Sequence, residues 1–164
     1  MKLFPPAATQ LKWLTGLAIS SSLVLSLPPA LAADVAPKGP STNERLDLAR
    51  KAIETKDWNK ALFELNQAVQ TEPRNADVHN LLGYTYRKRA TPDLPKAFDH
   101  YKKALELNPQ HKGAHEYIGE AYLMDKKPAE AEKHLARLEA LCGNKTCEEY
   151  ADLAKSIADY KAKN

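Results

Sequence analysis

The sequence of 164 residues contains little cysteine and little glycine, and neither sign of charge dominates it. Two cysteines are too few for a disulfide framework or a four-cysteine zinc site. Six glycines and eleven prolines exclude a collagen-like chain. The net charge is +3, from 24 basic and 21 acidic residues, so the composition gives no reason to expect a nucleic-acid binder. The remaining composition, 43% hydrophobic and 27% charged, predicts one modest globular domain.

Motifs of catalysis are also missing. The sequence has no glycine-rich phosphate loop, no nucleophile elbow and no isolated carboxylate pair in an apolar setting. His111 and His115 are four residues apart and could share a helix face, but no Glu or Cys at a matching register completes a metal site. Gly119 stands where a zinc-protease helix that begins at His115 would need its second histidine. We therefore predict packing roles for these histidines, no enzymatic activity, no metal and no cofactor.

The N-terminal hydrophobic run is short. Lys2 and Lys12 precede an uncharged stretch from Trp13 to Leu27, about 15 residues, where a membrane-spanning helix needs about 20. Two prolines and a run of small residues follow. This pattern predicts that residues 1–32 are a cleaved secretory signal rather than an uncleaved anchor, with no membrane insertion once the signal is removed.

The rest of the sequence repeats itself. Glu72-Pro73 recurs as Asn108-Pro109 at a spacing of 36, and the segment 82–86 recurs as 118–122 at the same spacing. Each period reads as two apolar helical stripes separated by a turn, and each contains small residues that let antiparallel helices approach closely. These residues are Ala49, Gly83 and Gly119 in the first helices and Ala61, Ala97 and Ala131 in the second. After a flexible leader at 33–41, we predict helix hairpins over 42–75, 76–111 and 112–145.

The repeat resembles the tetratricopeptide repeat (TPR) family. Its signature is matched in the second repeat by Leu82, Gly83, Tyr86, Ala97, Tyr101 and Pro109. The departures include His79 and His115, which stand where the family favours a bulky residue such as Trp. The resemblance implies an all-α solenoid of three TPR units with a concave surface that binds a peptide or a helix of another protein.

The C-terminal segment is predicted to cap the stack. Thr146 and Glu149 have the spacing of a capping box, and a helix over residues 146–164 has one apolar face to cover the third repeat. Cys142 and Cys147 favour a disulfide in an exported chain, with a redox-active dithiol and free thiols as alternatives. This ending resembles small secreted repeat proteins of Gram-negative bacteria, and that resemblance implies the periplasm.

Helical spacing next to the packed stripe predicts the groove that faces a partner. The candidate contact residues are Arg50, Asn80, Tyr84, Arg87, Tyr117, Glu120 and Met124, with Leu46, Ile53, Glu116 and Leu123 in the same register. The tyrosines would supply contact area, and Arg50 or Arg87 would pair with an acid of the partner. Family members that grip a C-terminal carboxylate use cations where this chain has Gly113, Tyr117 and Glu120, so we do not expect that clamp.

The sequence leaves the oligomeric state and other functions open. We expect a monomer or weak self-association, with a protein as the partner. One alternative is a structural scaffold in which repeats of different chains stack end to end. The other is a dithiol redox protein that uses Cys142 and Cys147.

Overall fold

A computed structural model describes residues 39–164, and the helices account for most of them. The predicted signal at residues 1–32 and residues 33–38 of the predicted leader lie outside the described residues. The helices are α1 (Thr42–Glu54), α2 (Trp58–Thr71), α3 (Ala76–Lys88), α4 (Leu94–Leu107), α5 (Lys112–Met124), α6 (Pro128–Cys142) and α7 (Glu148–Lys163).

Successive helices form three hairpins and a cap. Helix α1 packs on α2, α3 on α4 and α5 on α6, while α7 packs on both α5 and α6. Contacts of α2 with α3 and of α4 with α5 join neighbouring hairpins. The predicted all-α solenoid of three helix hairpins with a C-terminal capping helix is confirmed. Within residues 39–164, no helix combines the length and the apolar character that a membrane crossing requires.

Side chains at the helix starts explain where most helices begin. Asp57, Asn75 and Asp93 each accept a hydrogen bond from a backbone N–H in the first turn of α2, α3 and α4, respectively. Helix α1 begins with a capping box, in which Ser41 and Glu44 exchange side-chain to backbone hydrogen bonds. The hairpin positions are therefore encoded locally, before tertiary packing contributes.

Two glycines admit large side chains from neighbouring helices. A Cβ atom placed on Gly83 would lie 2.6 Å from Cδ1 of Tyr101, a fully buried residue of α4. A Cβ atom on Gly119 would lie 2.6 Å from Cδ2 of Leu153 in α7. The small residue of the third repeat thus makes room for the capping helix, a role that the sequence pattern did not indicate.

Replacing Gly83 with Ala should destabilise the fold by about 1–3 kcal/mol, because the ring of Tyr101 has to move in a packed core. Gly113→Ala is the matched control, since the nearest atom to its new Cβ would be the Asn80 amide nitrogen, at 3.4 Å, which is an ordinary contact distance. That control should be neutral, or stabilising by up to about 1 kcal/mol, through helix propensity. Urea unfolding measures both, and equal stability of the two variants would contradict the close approach at Gly83.

The turn between α6 and α7 differs from its prediction. The predicted disulfide joins Cys142 to Cys147, and closing so short a loop stabilises by about 2 kcal/mol in the chain-entropy model. The predicted capping box at Thr146 is wrong. The Thr146 hydroxyl donates to Asn144 Oδ1 at 2.9 Å, and α7 begins at Glu148 with Cys147 as its N-cap. The Thr146 hydroxyl bonds to Asn144 rather than to α7 because Asn144 is only two residues away, and an Asn side chain readily closes a local turn over that distance.

Two histidine pairs fill the positions where the family favours a bulky residue. Nδ1 of His79 lies 3.1 Å from Nδ1 of His100, and Nδ1 of His115 lies 2.9 Å from Nδ1 of His134. Nε2 of His79 is 3.0 Å from the Pro73 carbonyl, and Nε2 of His115 makes the equivalent 3.1 Å contact with Pro109. Since a carbonyl only accepts, each Nε2 carries a proton, and in the neutral ring Nδ1 of His79 and of His115 then accepts from the partner ring.

The neighbouring histidine of the sequence is held in another way. Nδ1 of His111 accepts the backbone N–H of Ala114 at 3.2 Å, and Nε2 lies 3.0 Å from Oδ1 of Asp77. His111 and His115 therefore both have structural partners for both ring nitrogens, in agreement with packing roles.

Acid should destabilise the fold through the two histidine pairs. Burial, followed by the neighbouring histidine, lowers the pKa of His100 and of His134 to about 4. The pKa of an unfolded histidine is about 6.5, so this stabilisation is complete above pH 6.5 and falls as the pH drops to about 4. Urea midpoints between pH 7.5 and 4 should fall less in His100→Gln/His134→Gln than in the wild type.

The control for this experiment is His111→Gln, which lies outside both pairs. Because it leaves both pairs intact, it should keep most of the wild-type loss of stability at low pH. A double variant as acid-sensitive as the wild type would show that the pairs do not govern acid stability.

Candidate binding groove

The first helices of the hairpins lie side by side and form one wall of the solenoid. Helix α3 contacts α5, and α5 contacts α7. The capping helix takes the place of a first helix in a fourth repeat, because Leu153 packs at Gly119 and the Ser156 hydroxyl donates to Glu120 Oε1 at 3.2 Å. We call the surface shared by α1, α3, α5 and α7 the groove.

The predicted contact residues divide by exposure. Arg50 and Met124 are exposed, and Tyr84, Tyr117 and Glu120 are partly exposed. Asn80 and Arg87 are only 6% and 4% exposed, so the expectation that they lie open is wrong.

The same correction applies to Leu46, Glu116 and Leu123 of the predicted register, which are also buried. Leu46, Asn80 and Glu116 occupy equivalent places in α1, α3 and α5, where the adjoining helix covers them. Helical spacing along one helix does not reveal this coverage, because it is produced by the next helix in the stack.

Arg87 connects four helices. Its Nη2 lies 2.6 Å from Glu120 Oε2 of α5 in an ion pair, and its Nε donates to the Tyr101 hydroxyl of α4 at 3.2 Å. Through the second oxygen of Glu120 the network reaches Ser156 of α7. Arg87 was predicted to pair with an acid of a partner, but its acid comes from its own chain. A buried guanidinium requires such compensation, because the loss of its hydration is costly.

The tyrosines surround the same guanidinium. The Tyr84 and Tyr117 ring centroids lie 4.9 Å apart, and the Arg87 guanidinium carbon lies 5.5 and 5.6 Å from them. These distances are those of cation–π contacts. Burial, followed by nearby Glu116, raises the pKa of Tyr117 to about 12. The Tyr117 hydroxyl is therefore a neutral hydrogen-bond donor at physiological pH.

An apolar cleft opens beside these rings at the α1 side of the groove. Its volume is about 200 Å³, and its lining consists of Arg50, Ile53, Glu54, Leu81, Tyr84 and Tyr117. A second cavity of about 620 Å³ shares Ile53 and Tyr84 and extends to Trp58 and Lys88. We refer to the first of these as the tyrosine cleft. Leu81 and Trp58 were not among the contact residues predicted from the sequence. The only feature in the sequence that could have indicated them is an apolar side chain at a position outside the repeat signature.

The α7 side of the groove is acidic. The pKa of Glu116 is raised to about 8 by burial first, then by Glu120, Asp152 and Glu149, and Arg87 only partly offsets this. Met124, by contrast, lines a different cavity of about 340 Å³ with Leu123 and residues of α7 near the C-terminus. The structure thus brings Arg50, Tyr84 and Tyr117 together and leaves Met124 apart from them.

Comparison with known proteins gives the family. Two profiles, both described as tetratricopeptide repeat, match residues 46–111 and 92–156. Together they span well over half of the sequence, and the chain belongs to the tetratricopeptide repeat family. No protein of curated function matches it.

Solved structures with the same fold include the following three TPR proteins. One is the TPR2B domain of yeast Sti1 in complex with pHsp70, with a TM-score of 0.66, 15% identity, and coverage of 75% of this chain and 98% of that one. Another is the type III secretion translocator chaperone SycD of Yersinia enterocolitica, with a TM-score of 0.65, 18% identity, and coverage of 74% and 92%. The first TPR of Spaghetti (RPAP3), bound to the HSP90 peptide SRMEEVD, matches with a TM-score of 0.63, 17% identity, and coverage of 74% and 94%. At these identities the likeness shows the fold alone.

Proposed function

We propose that this chain is a non-catalytic interaction module whose groove binds a segment of another protein. The observation that carries the proposal is the tyrosine cleft, an apolar recess with Ile53, Leu81 and two tyrosines in its lining and charged Arg50 and Glu54 beside them. Half-buried aromatic rings held by a fixed guanidinium give contact area at little entropic cost. Extended peptides and helices use recesses of this kind for apolar anchor residues.

The titles of two similar structures add support, since they name a pHsp70 complex and a bound HSP90 peptide. The recognition chemistry proposed here is different from the capture of a carboxylate. Arg87, the cation at the centre of this groove, already pairs with Glu120, and the neighbouring positions on α5 are Gly113 and Tyr117. We propose that the partner is held by an apolar anchor in the tyrosine cleft.

A random 12-residue peptide library displayed on phage and selected on the purified protein tests this proposal. Tyr84→Ala should weaken the selected peptides by about tenfold or more, because it removes a wall of the cleft. Phe63→Ala is the matched control, since Phe63 is an aromatic of α2 that is 59% exposed and does not line the cleft. Fluorescence anisotropy measures the affinities. Peptides that bind the wild type and Tyr84→Ala equally well would refute the groove as the binding site.

We further propose that the protein is exported and works in the periplasm. The basic and apolar N-terminal pattern and the Cys142–Cys147 disulfide support this, because disulfides persist in oxidising compartments. Expressed in a Gram-negative host, the protein should appear in the periplasmic fraction with Ala33 as its first residue. N-terminal sequencing checks the cleavage site, and an intact N-terminus on cytoplasmic protein would contradict export.

A further inference from the structure

Glu116 is a buried acid with no ion-pair partner in the described part of the chain. It is 8% exposed, and neither a hydrogen bond nor an ion pair satisfies it within residues 39–164. The cation nearest to this region, Arg87, makes its 2.6 Å ion pair with Glu120 instead. Burying an unpaired carboxylate is costly, and the TPR fold does not need an acid at this place, since the equivalent position in α1 is Leu46.

The surroundings of Glu116 add negative charge. Glu120 lies one turn further along α5, and Glu149 and Asp152 face Glu116 from α7. Leu153 at Gly119 and Ser156 at Glu120 fix how α7 lies against α5. We call Glu116, Glu120, Glu149 and Asp152 the acidic end of the groove. Three other carboxylates raise the pKa of Glu116, and the Arg87 guanidinium only partly opposes them, so the field there favours a cation.

A second polar group beside the acidic end also lacks a partner. Asn80 of α3 is 6% exposed, and its buried Oδ1 has no hydrogen-bond donor among residues 39–164. Its amide nitrogen lies against Gly113, three residues before Glu116 on α5. Asn80 offers a buried acceptor without a donor among residues 39–164, and Glu116 offers a carboxyl group without a hydrogen bond there, so a ligand that brings several N–H groups would satisfy both.

The spacing of the acids selects the kind of cation. Within residues 39–164, no three of these four carboxylates bring one oxygen each to within 4.8 Å of one another. A bare metal ion needs its oxygen ligands that close together. A guanidinium or ammonium group at the end of a long side chain donates to acceptors that are spread more widely.

We propose that the acidic end of the groove binds an arginine or lysine side chain of the partner segment, with Glu116 as its principal counter-ion. The inference rests on the proposed function, since it assumes that a segment lies along the groove, and it adds the chemistry of that segment. A bound segment would place an apolar residue in the tyrosine cleft and a basic residue between α5 and α7.

The peptides selected on the purified protein test this inference. They should contain Arg or Lys, and citrulline in place of Arg, or norleucine in place of Lys, should weaken binding by about tenfold or more, as expected for charge-assisted hydrogen bonds. Glu116→Gln should cause a similar loss, whereas Glu106→Gln on the outer helix α4 should cause none. Asp152→Asn should give a smaller loss of affinity. Because Asp152 is exposed to solvent, this variant tests the acidic end even if Glu116→Gln impairs folding.

A pH series separates ligand binding from a merely structural role of Glu116. Burial and the acids Glu120, Asp152 and Glu149, opposed by Arg87, raise the pKa of Glu116 to about 8. The ionised form binds the basic side chain, so the affinity of an arginine peptide should rise about tenfold from pH 7 to 9 in the wild type. It should stay nearly constant in Glu116→Gln.

Each other outcome overturns the inference. Selected peptides that need Tyr84 but contain no basic residue would overturn it and leave the proposed function intact, as would basic peptides that bind Glu116→Gln normally. Failure to obtain any peptide that depends on Tyr84 would overturn both. Calcium alone, titrated calorimetrically, should not bind; binding that is lost in Glu116→Gln would assign the acidic end to a metal instead.

Discussion

The buried guanidinium of Arg87 is the constraint on which the groove depends. An arginine that is 4% exposed has to recover its lost hydration from the protein. Its partners come from other helices, the Tyr101 hydroxyl from α4 and the Glu120 carboxylate from α5. Because Glu120 also accepts from Ser156 of α7, the position of the capping helix is tied to the same charge.

This arrangement explains why the two ends of the groove differ. On the α1 side, the Arg87 guanidinium lies against the faces of Tyr84 and Tyr117 and holds both rings in place. The apolar tyrosine cleft lies next to these rings. On the α7 side, Arg87 pairs with Glu120, and no other cation of the described residues 39–164 pairs with Glu116, which lies among carboxylates. Arg87 thus fixes the aromatic rings, and because it pairs with Glu120 it leaves Glu116 without an ion-pair partner among the described residues.

The histidine pairs show a different solution to the same packing problem. Where the family favours one bulky residue at the start of a first helix, this chain uses His79 and His115, each joined to a histidine of the following helix. Two small rings linked by a hydrogen bond fill a space of similar size. The low pKa of His100 and of His134 makes the hairpin core sensitive to acid, which an all-apolar core would not be.

The sequence by itself determined the helix hairpins, their number and their close approach, because these follow from local signals. Small residues recur at a fixed period, Pro73 and Pro109 end the first two units, and the side chains of Asp57, Asn75 and Asp93 cap the starts of helices. The disulfide was also predictable, since only two cysteines exist and they lie five residues apart.

Only the tertiary structure decided which side chains of the first helices stay open. Leu46, Asn80, Glu116 and Arg87 share the spacing of groove residues, yet each is covered by a neighbouring helix or drawn inward by an opposite charge. Thr146 likewise had the spacing of a cap but bonds to Asn144. Periodicity specifies the face of one helix, whereas burial and ion pairing depend on distances between helices, which no pattern along a single helix contains.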